Sequence, residues 1–328
     1  MLRKLLIGFL AALASWFALF AFYPLPLPEP AFTYDLHSGS TLRSVAHDLA
    51  ARRLLWEPWT FTAVGRLLGR QTRIKAGSYE WTEPLSALQL LERITRGDSV
   101  PYEAKLIEGM TFAQFRTALD ANTTLRHLTA GLPDQAVLRQ LGSEARSAEG
   151  LFFPDTYFFN KGDSDLDLMK RARAAMQRKL GAVWGGRAAG LPYDDPYQAL
   201  ILASIIEKET AKPDERAEVA AVFINRLRQG MKLQTDPTVI YGLGENYDGN
   251  LHKRDLLKDT PYNTYTRAGL PPSPIAMPGL ASLQAAVHPA DSKALYFVAR
   301  GDGSHAFSET LSDHNRAVFK YQIKRHTP

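Results

Sequence analysis

The sequence predicts an α+β fold: an N-terminal transmembrane helix, a small β-α-α-β module and a larger α+β region. Three observations predict it. Residues 5–23 read LLIGFLAALASWFALFAFY, an apolar run with no charge in it. Beyond it, alternating strand-like stretches at 32–36 and 74–81 bracket two helical stripes. From residue 101 onward longer helical patterns dominate, with short strand signals at 105–107 and 294–298.

At about 1.5 Å per residue, the apolar run matches a hydrocarbon thickness of about 30 Å. Arg3 and Lys4 precede it, so the positive-inside rule puts the N-terminus in the cytoplasm. The competing reading is a cleaved signal peptide, but the run is long for that and no small-x-small site follows. Pro24, Pro26, Pro28 and Pro30 follow instead and predict a stiff, extended spacer. The expected segments are an anchor at 1–23, a Pro-rich linker at 24–31, the module at 32–100 and the larger region at 101–328.

Within the module, Ser40 is expected to cap a helix carrying Leu42, Val45, Ala46 and Leu49. Glu57-Pro58 opens a second, with Phe61, Val64, Leu67 and Leu68 as its stripe. The module resembles a LysM-like unit, and either binds N-acetylated glycan, as such units do, or is purely structural. Capping boxes are expected at Ser86/Gln89 and at Thr111/Gln114. Residues 122–147 have helical composition. The aromatic run 150–159 is either a stacking surface for sugar rings or ordinary core. Residues 166–183 form an amphipathic helix.

Composition narrows the chemistry. The chain has no cysteine, which removes thiolate metal sites, disulfides and cysteine nucleophiles. Its net charge of +5 suits polyanionic surroundings, but the basic residues form no stripe with aromatics, so nucleic acid is not expected. Metalloprotease, nucleophile-elbow, phosphate-loop and dinucleotide motifs are missing from the sequence, and the eight histidines lack metal spacing.

The segment 196–210 is the most informative. Leu202, Ile205, Ile206 and Glu209 follow helical i, i+3, i+4, i+7 spacing, so Glu209 extends a buried stripe, whereas Glu207 lies roughly 200° around the helix. Desolvation there would raise the carboxyl pKa, as a general acid requires. The alternative is a helix-end carboxylate paired with Lys208 or Lys212. The next helix, from about Asp214 to Gln229, stops at Gly230, with Arg216, Arg226 and Arg228 mostly at the surface. Residues 233–242, rich in amide, hydroxyl and carboxylate groups, are expected as a strand or turn. Tyr262, Asn263 and Tyr265 suit hydroxyl- and acetamide-bearing sugars. His288 and His314 are expected to be structural.

These residues carry a resemblance. Ala-Ser-Ile-Ile-Glu-Lys-Glu-Thr at 203–210, Val-Phe-Ile-Asn-Arg-Leu at 222–227 and Leu-Gln-Thr-Asp-Pro-Thr-Val-Ile-Tyr-Gly at 233–242 closely resemble the YceG-like (MltG) family of endolytic murein transglycosylases. So do Phe-Pro-Asp-Thr-Tyr at 153–157, Tyr-Asn-Thr-Tyr at 262–265, Gly-Leu-Pro-Pro at 269–272 and His-Pro at 288–289, in register from about residue 34 to 321. Ser273 departs from the pattern, where many relatives carry Gly, and that puts only the local turn in doubt.

The resemblance implies a lytic transglycosylase in the periplasm, held by one inner-membrane helix. It would cut the MurNAc-GlcNAc β-1,4 bond within nascent peptidoglycan strands, leave 1,6-anhydro-MurNAc ends and limit strand elongation. The family's catalytic glutamate falls on Glu209. Glu207, Gln234, Thr235, Asp236, Tyr241, Tyr262, Asn263 and Tyr265 are the candidate supporting or substrate-binding residues. No metal or organic cofactor is implied. Glycan strands, the inner membrane and peptidoglycan synthases (penicillin-binding proteins) are the implied partners. Two rivals stand beside this reading: a hydrolytic muramidase pairing Glu209 with Asp236, and a non-enzymatic wall-binding scaffold.

Overall fold

The structure is a computed structural model that describes residues 2–37 and 39–323. The first residue of the expected anchor and the last five of the expected 101–328 region lie outside the described residues. The chain divides into two compact units. One is Met1–Glu103 with Thr124–Arg126 and Phe158–Asp163; the other is Ala104–Thr123, His127–Tyr157 and Ser164–Pro328.

The first unit begins with helix α1 (Leu2–Phe22), apolar enough over its length to cross a membrane, with Ala21 as its one buried residue. The Pro-rich stretch after it is no free spacer. Leu25 is buried, its N–H donates to Leu85 O at 2.9 Å, and Leu27 packs on the same core. Proline fixes φ without preventing alternate residues from packing inward.

The expected β-α-α-β order is present as β1 (Phe32–Leu36), α2 (Leu42–Ala51), α3 (Pro58–Leu67) and β2 (Gly77–Trp81). The strands are antiparallel, with Tyr34 opposite Tyr79 and Phe32 opposite Trp81. Alternation puts Phe32, Tyr34 and Leu36 on the buried face, where Trp81 stacks with Phe32, Tyr34 and Tyr79. Helix α4 (Ala87–Arg96) closes this core behind the expected Ser86/Gln89 capping box. The cap of α2 is Thr41, not Ser40: its hydroxyl accepts from Ser44 N at 3.1 Å. Of the expected α3 stripe, Phe61 and Val64 are buried, while Leu67 and Leu68 stay exposed.

Strand β3 (Tyr102–Leu106) starts three residues before its expected position; α5 (Phe112–Asp120) follows the Thr111/Gln114 capping box. Of residues 122–147, only α6 (Asp134–Gln140) is helical. Strand β4 (Asp155–Phe159) pairs with β3. The aromatic run is mostly core: Phe152, Phe153, Tyr157 and Phe159 are buried. Helix α7 (Asp165–Gly185) precedes α8 (Pro196–Glu209), around which the main core is built.

Every residue of α8 from Ala199 to Ile206 is buried. A helix that is apolar all round belongs in a core, so α8 is a central strut rather than an amphipathic surface helix. Helix α9 (Arg216–Arg228), α10 (Asp236–Leu243), α11 (Lys253–Leu257) and α12 (Leu280–Val287) come next. Then follow the antiparallel hairpin β5 (Tyr296–Ala299) and β6 (His305–Ser308), and α13 (Leu311–Val318). Two expectations fail here. Arg216 and Arg226 are buried, not superficial. Residues 236–243 are helical; Pro237 suits a first helical turn, and packing overrides the β-preference of Thr238, Val239 and Ile240.

Candidate active site

Glu209 is the last residue of α8 and lines a cleft of about 460 Å³. The cleft wall includes Gln234, Asp236 and Tyr265 from the expected set. It also includes Arg226, Tyr296, Phe297, His305 and His314, which the sequence did not single out as site residues. Three aromatic rings and a mix of acidic and basic groups therefore face one carboxylate.

Burial raises the Glu209 pKa above the ordinary carboxylate range, and the Asp236 charge raises it further. The Thr235 hydroxyl bond and the charged form of His305 work the other way. Burial is the largest influence, so the carboxyl group holds its proton to higher pH than an exposed glutamate. The expected alternative partner, Lys208, is exposed and reaches Gly109 O at 3.4 Å instead.

Thr235 occupies the cap position of α10 but makes no side-chain bond to that helix. Its hydroxyl donates to Glu209 Oε1. This diversion of a natural capping group is held by the backbone. Thr235 N donates to Thr264 Oγ1 at 3.1 Å, and Gln234 N to Thr264 O at 3.1 Å. Gln234 sits at φ 52°, a left-handed conformation that a non-glycine residue adopts at a cost of about 1 kcal/mol or more. Buried Arg226 pins it there, donating from Nη1 to Lys232 O, Leu233 O and Gln234 Oε1, and from Nε to Leu295 O. Arg226 and Thr264 were thus missed as the residues that fix this loop, although both lie inside the recognised motifs.

Asp236 Oδ1 accepts from the Tyr265 hydroxyl at 2.5 Å. Across the cleft, Glu215 grips His305 twice: His305 N donates to Oε1 at 3.0 Å, and Nδ1 lies 2.7 Å from Oε2. A carboxylate only accepts, so Nδ1 carries a proton. Glu215 gave no signal in the sequence, since the pair joins residues 90 positions apart.

Besides Thr235, which reaches the cleft only through Glu209, four candidates do not line it. Glu207 is an internal brace: its Oε2 accepts from Gly279 N at 2.9 Å and its Oε1 meets Arg216 Nη2 at 3.4 Å. The Asn263 side chain is buried; its Nδ2 donates to the carbonyls of Asp255, Leu256 and Lys258, and its Oδ1 accepts from Tyr265 N. Tyr241 donates to Glu149 at 3.1 Å. The Tyr262 hydroxyl is 2.7 Å from Ser273 Oγ, so the residue that departs from the family pattern supplies a partner for Tyr262. Among the described residues, Asp120, His127 and Asp165 lie close enough to share a cation. Asp165, however, already accepts from Leu128 N, Thr129 N and Thr129 Oγ1, as a turn brace does.

Comparison with known proteins shows the family of the chain. A family model described as "YceG-like family" matches residues 34–320. An endolytic murein transglycosylase of Bacillus subtilis is 30% identical over 88% of this chain and 84% of its own length. One of Streptococcus pneumoniae is 26% identical over 88% of this chain, which spans 58% of that longer protein. The crystal structure of a yceG-like protein from Listeria monocytogenes superposes with a TM-score of 0.54 at 27% identity, covering 88% of this chain and 98% of that one. The chain belongs to the YceG-like family.

Proposed function

We propose that this protein is an endolytic peptidoglycan lytic transglycosylase with Glu209 as its acid and then its base. The carrying observation is a part-buried carboxyl group with a raised pKa that lines a cleft together with aromatic rings. The names of the Bacillus and Streptococcus relatives point the same way.

The proton on Glu209 goes to the glycosidic oxygen between MurNAc and GlcNAc, and the bond from that oxygen to C1 of the muramic residue breaks. The resulting carboxylate takes the proton of the muramic 6-hydroxyl as that oxygen closes onto C1. Glu209 ends protonated, a 1,6-anhydro end forms and no water is consumed. One group thus does the work that most glycosidases divide between two. Thr235 orients the carboxylate, and Tyr265, Tyr296 and Phe297 offer ring faces to the sugars. Arg3 and Lys4 favour a cytoplasmic N-terminus, with α1 as a single-pass anchor and the remainder in the periplasm. There the enzyme would meet nascent strands beside membrane-bound synthases and limit their elongation.

Asp236 lines the same cleft, so a hydrolytic muramidase makes a distinct prediction. Incubating wild type and Glu209→Gln with uncrosslinked glycan strands, and reading product ends by mass spectrometry, separates the two. Internal cuts with anhydro ends, lost in the variant, are expected. Reducing ends would replace the lytic reading with hydrolysis, and cleavage surviving in Glu209→Gln would remove Glu209 from its role.

A further inference from the structure

Helix α3 presents an apolar face that its own unit covers only in part. Trp59 is 63% exposed and Leu67 83%, with exposed Ala63 between them at helical spacing. Trp56, just ahead of the helix, is 59% exposed, and Leu68, just after it, is 45% exposed. Large tryptophans exposed together on a small unit call for a partner.

The position of α1 says which partner. Trp16 stacks on Trp59 with ring centroids 6.0 Å apart and donates from Nε1 to Thr60 Oγ1 at 3.0 Å. Tyr23 meets Trp56 at 4.9 Å. An apolar cleft lies between the two elements, lined in part by Leu19, Phe20 and Leu55. The start of α3 is therefore level with the last two turns of α1.

Membrane thickness turns that into a constraint. The 21 residues of α1 span about 31 Å, against a hydrocarbon core of about 30 Å. The residues ahead of Trp16 reach only about 21 Å, too short to cross alone. If α1 crosses, Trp16 and the Trp59 stacked on it must lie within about 9 Å of the outer end of the helix. That depth is the interface, where tryptophan is the favoured side chain and arginine can reach outward to headgroups. Arg66 stands on the exposed face of α3, and Arg70 and Arg73 follow it. Two nearby acidic groups are engaged: Glu57 caps the helix, its Oε2 accepting from Trp59 N and Thr60 N, and Glu92 pairs with Arg70 at 3.4 Å.

We propose that the exposed face of α3 is seated in the lipid interface beside α1, making the first unit a second, monotopic membrane contact rather than a module swinging on a spacer. This rests on the reading of α1 as membrane-spanning, and it commits that face to lipid rather than glycan.

The absence of cysteine from the chain permits a clean test. Nitroxide labels are placed one at a time, through Ala63→Cys, Leu67→Cys and Leu10→Cys, on the full chain in phosphatidylethanolamine/phosphatidylglycerol vesicles. Collisions with oxygen, which partitions into lipid, are compared with those of a water-soluble nickel chelate. Oxygen dominance at residues 63 and 67, shallower than at residue 10, is the expected result. Nickel dominance at 63 and 67 with residue 10 deep in lipid overturns the proposal while leaving the anchor intact. Protection of 63 and 67 from both reagents means that protein covers the face, and also overturns it. Nickel access at residue 10 overturns the anchor and the proposal together.

Discussion

Glu209 and Glu149 are both carboxyl groups withdrawn from water, and each receives one hydroxyl bond, from Thr235 and Tyr241 respectively. Burial raises the pKa of both, Glu149 to about 7. Yet Glu209 faces a cleft of about 460 Å³, whereas Glu149 is 4% exposed and does not line it. Glu149 instead receives Phe112 N, at the start of α5, on both oxygens at 3.0 and 3.2 Å, and so ties α5 to α10. A raised pKa alone does not separate an acid catalyst from a structural clasp; access to substrate does.

The sharpest way to break this comparison is to neutralise each group in turn. Glu209→Gln should lower glycan cleavage by roughly 10²–10⁴-fold, the usual range for a general acid–base. Glu149→Gln keeps an acceptor for Phe112 N and should leave the rate of the folded protein near wild type. An equal loss in both, with folding unchanged by circular dichroism, would make Glu149 part of the chemistry.

Stability should show the reverse. Because the Glu149 pKa is about 7 when folded against an ordinary 4.5, the unfolded chain releases this proton first as pH rises. The folded state then binds more protons, so stability falls between pH 4.5 and 7, by roughly 3 kcal/mol from this group. Urea unfolding of the detergent-solubilised chain across that range should show the decline, and Glu149→Gln should flatten it. A decline of equal slope in the variant would assign the effect elsewhere.

Thr235→Val tests what holds Glu209 in place. Loss of one hydrogen bond of about 1–1.5 kcal/mol corresponds to a rate reduction of roughly tenfold. The hydroxyl favours the ionised carboxylate, so its loss should also move the alkaline limb of the rate to higher pH. A lower rate with an unmoved limb would mean that Thr235 shapes only the loop.

The same contrast marks what the sequence could reveal. Glu209 was legible because a carboxylate continuing an apolar helix is rare, and Thr235 and Asp236 because their polar run is dense. The stripe argument pointed to a residue that lines the cleft, but for an incomplete reason, since α8 is buried on every side. Its contrast between the two glutamates' faces missed that Glu207 is enclosed by Arg216 and Gly279. The burial of Arg226 was illegible because three of its four acceptors are backbone carbonyls, including Leu295 O, 69 residues away. Asn263 and Tyr262 read as sugar contacts by residue type, but their polar atoms are taken up within the protein. In the first unit, cap and strand signals were local and mostly held, while the path of the Pro-rich stretch depended on Leu25 finding Leu85.

The smallest effects should come from the charges around Glu209, and their signs are opposite. Asp236 raises the Glu209 pKa, while the charged form of His305, which Glu215 holds in place, lowers it. The acid must carry its proton to donate it, so the rate falls as pH rises through that pKa. Asp236→Asn should therefore draw the alkaline limb to lower pH, and His305→Gln should push it to higher pH. Glu215→Gln, which loosens the histidine without touching the cleft charge directly, should shift the limb in the direction of His305→Gln but less far. A pH–rate profile of kcat for the three variants reads all of these at once. If His305→Gln lowers kcat at every pH and leaves the limb in place, the histidine acts on the substrate rather than through the charge of Glu209.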